Sequence, residues 1–170
     1  MNTTTTTTSQ TSKTSKTSGR VLIAALTLTI ASLFGLVTAP AATAAPAPKV
    51  TLNTAQTSAK NALNADRKAH GLPVLGSQAD AQAKAQAWAN KLAAEGTIYH
   101  STLTDGIRTR WCSIGENVGY GPTVRNIEVA YMNSPKHRAN ILNTKWNGVG
   151  VGVATSNGVT YTVQVFIKTC

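Results

Sequence analysis

The sequence has few acidic residues, few aromatic residues and only two cysteines. Asp and Glu number 6 against 16 Lys and Arg, and aromatic residues make up 5% of the chain. Despite the positive charge, no helix-turn-helix pattern, zinc-finger spacing or aromatic stacking strand is present, which disfavours a nucleic-acid role. His-Glu-x-x-His and Gly-x-Ser-x-Gly motifs are also missing, so the sequence lacks the local signatures of common zinc peptidases and serine hydrolases.

An apolar stretch, Val21–Val37, lies near the N-terminus. Its 17 residues are at the short end for a membrane span. It follows Arg20 and precedes an Ala/Thr-rich segment in which Ala42 and Ala44 satisfy the small-x-small cleavage rule. These features predict a signal peptide over residues 1–44, with a Thr/Ser-rich start and cleavage near Ala44, and hence a secreted protein. An uncleaved membrane anchor is the alternative.

After the predicted cleavage site, residues 45–50 form a short Pro/Ala linker and residues 51–170 are expected to form one domain. Cleavage would leave 13 basic against 6 acidic residues, a net charge of +7, because only the basic residues Lys13, Lys16 and Arg20 are lost. A solvated surface explains this excess most simply. The functional alternative is attraction to anionic cell-envelope polymers, phosphate-bearing ligands or an anionic membrane surface.

The two cysteines, Cys112 and Cys170, both lie in the predicted exported domain. An even number of cysteines in an oxidising compartment favours a disulfide bond. This bond would join residue 170 to the segment just before Glu116, a candidate site residue described below. A reactive thiol served by a histidine is the alternative, and pairing would consume that thiol.

The spacing of apolar residues predicts four helices. The first covers Thr51–His70 and the second Ser77–Glu95, where Gly96 provides the stop and an alanine-rich face is expected to pack closely. A shorter third helix covers Val124–Asn133. The fourth begins with Ser134 as N-cap and proline at the first helical position, and ends near residue 142.

The C-terminal segment has the pattern of a β-hairpin. Apolar residues alternate on both sides of Asn157-Gly158, a dipeptide typical of a two-residue type I′ turn. In the register of that turn, Val151 lies opposite Gln164, and both faces of the hairpin carry apolar side chains. A sheet that is apolar on both faces needs a covering layer on each, which predicts a three-layer α-β-α sandwich with a small antiparallel sheet.

The segment Gly115–His137 places Glu116 in a predicted glycine turn and a histidine in the first turn of the fourth helix, with His100 just upstream. This spacing matches no local metal or nucleophile signature. A structural role is sufficient to explain each residue by itself. Glu116 would accept backbone hydrogen bonds in an irregular loop, His100 would be a loop histidine bonded to a carbonyl, and His137 would cap the fourth helix.

As a set, the motifs of this region resemble those of bacterial members of the CAP superfamily, which groups cysteine-rich secretory proteins, antigen 5 and the pathogenesis-related proteins of plants. The resemblance covers residues 52–168 and independently implies the α+β, three-layer α-β-α fold. The matching motifs are His100-Ser101, Gly115-Glu116-Asn117, Ser134-Pro-Lys-His137-Arg138, Asn140-Ile-Leu142 and Gly148-Val-Gly-Val-Gly152.

The resemblance implies a central ligand cleft lined by two histidines and two acidic residues. The matches are His100, Glu116 and His137, expected on the same side of the sheet, whereas Ser134 replaces the second acid and Glu128 lies one helical turn too early to substitute for it. His100 and His137 are the candidate ligands of Zn²⁺ or another divalent metal. Loss of one acid makes tight metal binding and two-carboxylate catalysis less favourable.

Two functions follow from the resemblance. The preferred one is a secreted, non-enzymatic binding module whose cleft takes a small or lipid-like ligand. The alternative is a metal-dependent extracellular hydrolase that acts on peptides or envelope polymers, in which histidine-held Zn²⁺ activates water and Glu116 is the base. The sequence assigns no catalytic residue beyond this alternative.

Overall fold

The computed structural model describes residues 50–170; the predicted signal peptide and residues 45–49 of the predicted linker lie outside the described residues. None of the helices in residues 50–170 combines the length and the hydropathy of a membrane span. The elements in chain order are α1 (Thr54–Ala69), β1 (Gly76–Ser77), α2 (Ala79–Glu95), β2 (Trp111–Gly121), α3 (Val124–Asn133), α4 (Pro135–Ile141), β3 (Gly148–Ser156) and β4 (Val159–Thr169).

The four predicted helices are confirmed, with small changes at their starts. The first begins at Thr54, because Asn53 and Gln56 form a reciprocal capping box. The second begins at Ala79 and ends, as predicted, at Gly96 in the left-handed conformation. The third has the predicted bounds, and the fourth starts directly after its N-cap, Ser134.

The sheet has the strand order β1-β3-β4-β2. The hairpin of β3 and β4 has the predicted register, with Val151 opposite Gln164, and both turn residues, Asn157 and Gly158, have positive φ as a type I′ turn requires. β2 is antiparallel to β4 and forms one edge of the sheet. The two-residue β1 pairs parallel with β3, so the small sheet is mixed rather than purely antiparallel.

The predicted glycine turn around Glu116 is wrong, because this segment is the regular edge strand β2. Its glycines provide space for large side chains on one face. A Cβ atom added to Gly115 would lie 3.0 Å from the ring of Trp146, and one added to Gly119 would lie 2.8 Å from the ring of Tyr131. Glycine is needed here for close packing on a strand, not for a reversal of the chain.

Two hydrophobic clusters show the three layers. One joins α1, α3 and α4 to the sheet face that carries Val149, Val151 and Phe166. The other joins α2 to the face that carries Val163 and Val165. The predicted α-β-α sandwich is therefore the observed fold.

Helix α2 packs directly on β3. A Cβ atom at Gly152 would lie 2.0 Å from the carbonyl oxygen of Ala85, so only glycine permits this approach. The side-chain amide of Gln82 donates to the carbonyl of Val151 at 2.6 Å and accepts from its N–H at 2.9 Å, and Gln86 makes the same pair with Val153. These glutamines satisfy backbone groups on the side of β3 that faces away from β4.

The predicted disulfide is confirmed. Cys112, near the start of β2, is bonded to Cys170, and the N–H of Cys170 also donates to the carbonyl of Arg110. The end of the chain is thereby joined to the strand that carries Glu116. Within the described chain, neither cysteine is free.

Candidate ligand-binding cleft

Glu116 is the most constrained polar side chain of the candidate site. It projects from β2 with only 1% of its side chain exposed. Its Oε1 accepts hydrogen bonds from the backbone N–H of Ser101 at 2.9 Å and from Nδ1 of His100 at 2.8 Å, and its Oε2 accepts from the hydroxyl of Ser101 at 2.6 Å. Both carboxylate oxygens are therefore occupied by protein donors.

His100 lies in the loop after α2, and its side chain is 60% exposed. Because a carboxylate only accepts hydrogen bonds, the ring proton is assigned to Nδ1, and Nε2 is the nitrogen available to a ligand. The ring borders a cavity of about 410 Å³. The residues that line it are His100, Ser101, Leu103, Gly115, Glu116 and Asn140.

The loop that carries His100 and Ser101 is anchored to α2. Lys84, which is 9% exposed, donates from Nζ to the carbonyls of Thr102 at 2.7 Å and Asp105 at 3.0 Å. Trp88 donates from Nε1 to the carbonyl of Tyr99 at 2.9 Å. Burial lowers the pKa of Lys84, and the negative charges of Glu116 and Asp105 oppose that effect. The helix therefore positions the donors that hold Glu116.

His137 lies in the first turn of α4 and is half-buried. Burial, followed by the charge of His100, lowers the pKa of His137 below its usual value. Its ring centroid lies 5.0 Å from that of Tyr131. The neutral ring is therefore the main form at pH 7, as a metal ligand requires.

The expectation that His100, Glu116 and His137 line the same side of the sheet is wrong. Side chains alternate along β2, so Glu116 points to the α2 face with Val118, whereas Asn117 points to the face covered by α3 and α4. His137 belongs to this second layer. The cavity nevertheless has lining residues from both layers, because it lies across the edge strand.

Sequence reasoning assigned no role to three side-chain amides, those of Asn117, Asn140 and Gln164, that connect α4 to the sheet. Asn140 donates to Oδ1 of Asn117 at 2.9 Å, and Asn117 donates to the backbone carbonyl of His137 at 3.1 Å and to the side chain of Gln164 at 3.0 Å. Asn117 is fully buried. The sequence pattern that could have indicated this role is a polar residue at a strand position where the alternation of side chains points to the core. Asn117 and Gln164 both occupy such a position.

The remaining site residue, Ser134, is the N-cap of α4 and makes no capping hydrogen bond through its side chain. It is partly buried, and the residues that line the cavity include neither Ser134 nor His137. Within residues 50–170, no group of three or more His, Cys, Asp or Glu side chains is placed to hold a metal ion. Both oxygens of Glu116 are already used, which leaves the two imidazoles as the donors that a metal could use here.

Solved structures with this fold come from several bacteria. An outer surface protein of Borrelia burgdorferi matches with a TM-score of 0.61 and 20% identity, over 72% of this chain and 98% of that one. An extracellular SCP-domain protein of Bacillus anthracis matches with a TM-score of 0.57 and 22% identity, over 66% of this chain and 40% of that one. A cysteine-rich secretory protein of Staphylococcus aureus matches with a TM-score of 0.53 and 24% identity, over 66% of this chain and 38% of that one.

These identities establish a shared fold only, and the chain spans less than half the length of the Bacillus and Staphylococcus proteins. A comparison with curated protein sequences gives no match. The CAP family model, described as the cysteine-rich secretory protein family, matches residues 60–167. This chain belongs to the CAP family.

Proposed function

We propose that this protein is an exported CAP domain that binds a small or lipid-like ligand in the cleft across the edge of β2. Export is supported by the predicted signal peptide and by the matched structures, which are named as an outer surface, an extracellular and a secretory protein. The observation that carries the binding function is the complete hydrogen bonding of the buried Glu116 carboxylate.

A general base must reach the proton that it removes, directly or through one water. Glu116 is 1% exposed and accepts three hydrogen bonds from His100 and Ser101. A ligand in the cavity would instead meet Nε2 of His100, the amide of Asn140 and the apolar side chain of Leu103. This mixture of one imidazole, one amide and apolar surface is suited to orienting a ligand.

A divalent metal, Zn²⁺ or another, would be held beside this cavity between His100 and His137, because the charge of His100 acts on the His137 ring; water would complete the shell. Glu116 would act through His100, because a carboxylate bonded to Nδ1 fixes the tautomer and the orientation of the ring. A bound metal would supply a Lewis acid for an oxygen atom of the ligand. The alternative function, metal-dependent hydrolysis, would use the same two histidines.

The experiment is a mass analysis of small molecules extracted from the mature protein purified from culture medium. We expect a ligand that co-purifies with the wild type and is reduced in His100→Ala. His70→Ala is the matched control, because His70 is an exposed histidine at the end of α1. Equal ligand content in wild type, His100→Ala and His70→Ala would contradict binding in this cleft.

Zinc titration of wild type, His100→Ala, His137→Ala and Glu116→Gln tests the metal separately. We expect each histidine variant to lose zinc binding and Glu116→Gln to weaken it by about 10- to 100-fold, as for other groups that orient metal-binding histidines. Binding should also decline as the solution is made acidic, because metal binding releases protons and protons compete for the imidazole nitrogens. Cleavage of general peptide substrates that a chelator abolishes would favour the hydrolase instead.

Basic surface charge supports a second class of partner. Anionic envelope polymers or an anionic membrane surface would be attracted to the excess of Lys and Arg over Asp and Glu. Co-sedimentation with anionic and neutral vesicles distinguishes this attraction, because only the anionic vesicles should bind and added salt should release the protein.

A further inference from the structure

A second pocket lies between α1 and α3, apart from the cleft. It has a volume of about 210 Å³. Its lining residues are Ala62, Ala65, Asp66, Arg125, Glu128, Val129, Met132 and Asn133. The pocket therefore combines two carboxyl groups with polar and apolar side chains in equal number.

Glu128 is 5% exposed, and only one of its oxygens is satisfied. Gln164 donates to Oε2 at 2.6 Å, whereas Oε1 is buried without a hydrogen-bond partner among the described residues. Burial, followed by the neighbouring negative charge of Asp66, raises the pKa of Glu128 to about 8. At neutral pH, Glu128 therefore retains its proton beside the Asp66 carboxyl.

We propose that this pocket is a cation site, in which Asp66 and Glu128 together bind a hydrated divalent cation in place of the Glu128 proton. Two carboxylates with retained water molecules are the donor set that Mg²⁺ commonly uses, and Ca²⁺ accepts the same oxygen donors. Asn133, which also lines the pocket, adds an amide oxygen. No part of the His100 cleft is needed for this site.

The charged groups around the pocket set its affinity. Asp66 reaches it from α1, while Arg125 and Glu128 reach it from α3, and the Tyr131 hydroxyl on the same helix is bonded to Thr162. Arg125 is exposed and opposes cation binding through its positive charge. The proposal therefore requires that removal of this one charge increases affinity.

The test is calorimetric titration of the mature protein with CaCl₂ and MgCl₂ at pH 6.5 and pH 8.5. Because only the deprotonated pair binds, the affinity should rise by about 25-fold between these pH values. Titrations at pH 7 in two buffers of different ionisation enthalpy should show release of about one proton per cation bound. Methylammonium chloride serves as a second probe for a cation that is not a metal.

Variants locate the site. Glu128→Gln and Asp66→Asn should each lose the pH-dependent binding, and Arg125→Ala should strengthen it. Glu95→Gln is the matched control, because Glu95 is an exposed carboxylate at the end of α2 in the other layer. Thermal unfolding and circular dichroism verify that each variant is folded.

Binding of Ca²⁺ or Mg²⁺ with this pH dependence and this variant pattern supports the proposal. Binding of methylammonium alone with the same pattern identifies the occupant as an organic ammonium group and overturns the divalent-metal assignment. Absence of binding at pH 8.5, or binding that Glu128→Gln and Asp66→Asn leave unchanged, overturns the cation site. None of these results depends on a ligand in the cleft, so the proposed function is tested independently.

Discussion

The imidazole of His100 and the carboxylate of Glu116 share a hydrogen bond of 2.8 Å, although 60% of the His100 side chain and only 1% of the Glu116 side chain are exposed. The buried member is held by Ser101 as well, so it orients the exposed member toward the cavity. This relationship assigns different tasks to the two residues. In the proposed function, His100 would contact the ligand and Glu116 would act through His100.

Ser101→Ala should destabilise the fold, because it leaves Oε2 of the buried Glu116 carboxylate without its hydroxyl donor. We expect the free energy of unfolding to fall by about 1–3 kcal/mol. Urea denaturation measures this change. Ser58→Ala, at an exposed position of α1, is the control and should stay within about 0.5 kcal/mol of wild type. Equal stability of the two variants would show that the hydroxyl is dispensable.

Gly152→Ala should be strongly destabilising, because its Cβ would lie 2.0 Å from the backbone oxygen of Ala85. Either α2 or β3 must shift, at a cost of about 3 kcal/mol or more. Gly76→Ala is the matched control, since no atom lies within 4 Å of the added Cβ. Thermal and urea unfolding compare the two variants. A Gly152→Ala protein as stable as Gly76→Ala would contradict the close packing of α2 on the sheet.

Reduction of the Cys112–Cys170 bond should lower the melting temperature. The bond closes a long loop and stabilises the fold by about 4 kcal/mol in the chain-entropy treatment. Thiol counting of the denatured, unreduced protein should find no free thiol. The double variant Cys112→Ser/Cys170→Ser is the control, since a reducing agent should not change its melting temperature. If reduction leaves the melting temperature of the wild type unchanged, the disulfide bond does not stabilise the fold.

Glu128→Gln should change how stability depends on pH. The pKa of Glu128 is about 8 in the folded protein against an ordinary 4.5, so the protonated group favours folding fully below pH 4.5 and this contribution is lost as the pH rises to 8. The loss is about 1.4 kcal/mol for each unit of difference between the two pKa values.

Urea denaturation at pH 5 and pH 8 should therefore show the Glu128→Gln variant gaining stability relative to wild type at the higher pH. The comparison with wild type cancels the opposite contribution of His137, whose lowered pKa reduces stability on the acidic side. A stability difference that is the same at both pH values would mean that Glu128 is not a buried, protonated group.

We expect the protein to be exported as a chain that begins near Ala45, because the Ala/Thr-rich segment after Val37 is a better cleavage site than a membrane interface. Intact mass analysis of protein from culture medium measures the start of the chain. A sample made with Ala42→Leu and Ala44→Leu is the control and should be cleaved poorly. Recovery of only a full-length, membrane-bound chain would contradict secretion.

The sequence by itself determined the features that depend on neighbouring residues. Apolar spacing and end signals predicted the four helices, and the Asn157-Gly158 turn determined the register that sets Val151 opposite Gln164. Two cysteines in a predicted exported domain were enough to predict their bond. These interactions follow from helical periodicity, turn geometry and the chemistry of thiols, so they can be derived before the chain is folded.

Only the tertiary structure decided where β2 lies, what its glycines do and which side chains meet. Gly115 and Gly119 resemble turn residues in the sequence, but they leave room for Trp146 and Tyr131, which come later in the chain. The same long-range packing sets Glu116 and His137 in different layers and buries Glu128. Burial and partners at a sequence distance of many residues determine these roles, because the strength of a charge or hydrogen bond depends on its surroundings after folding.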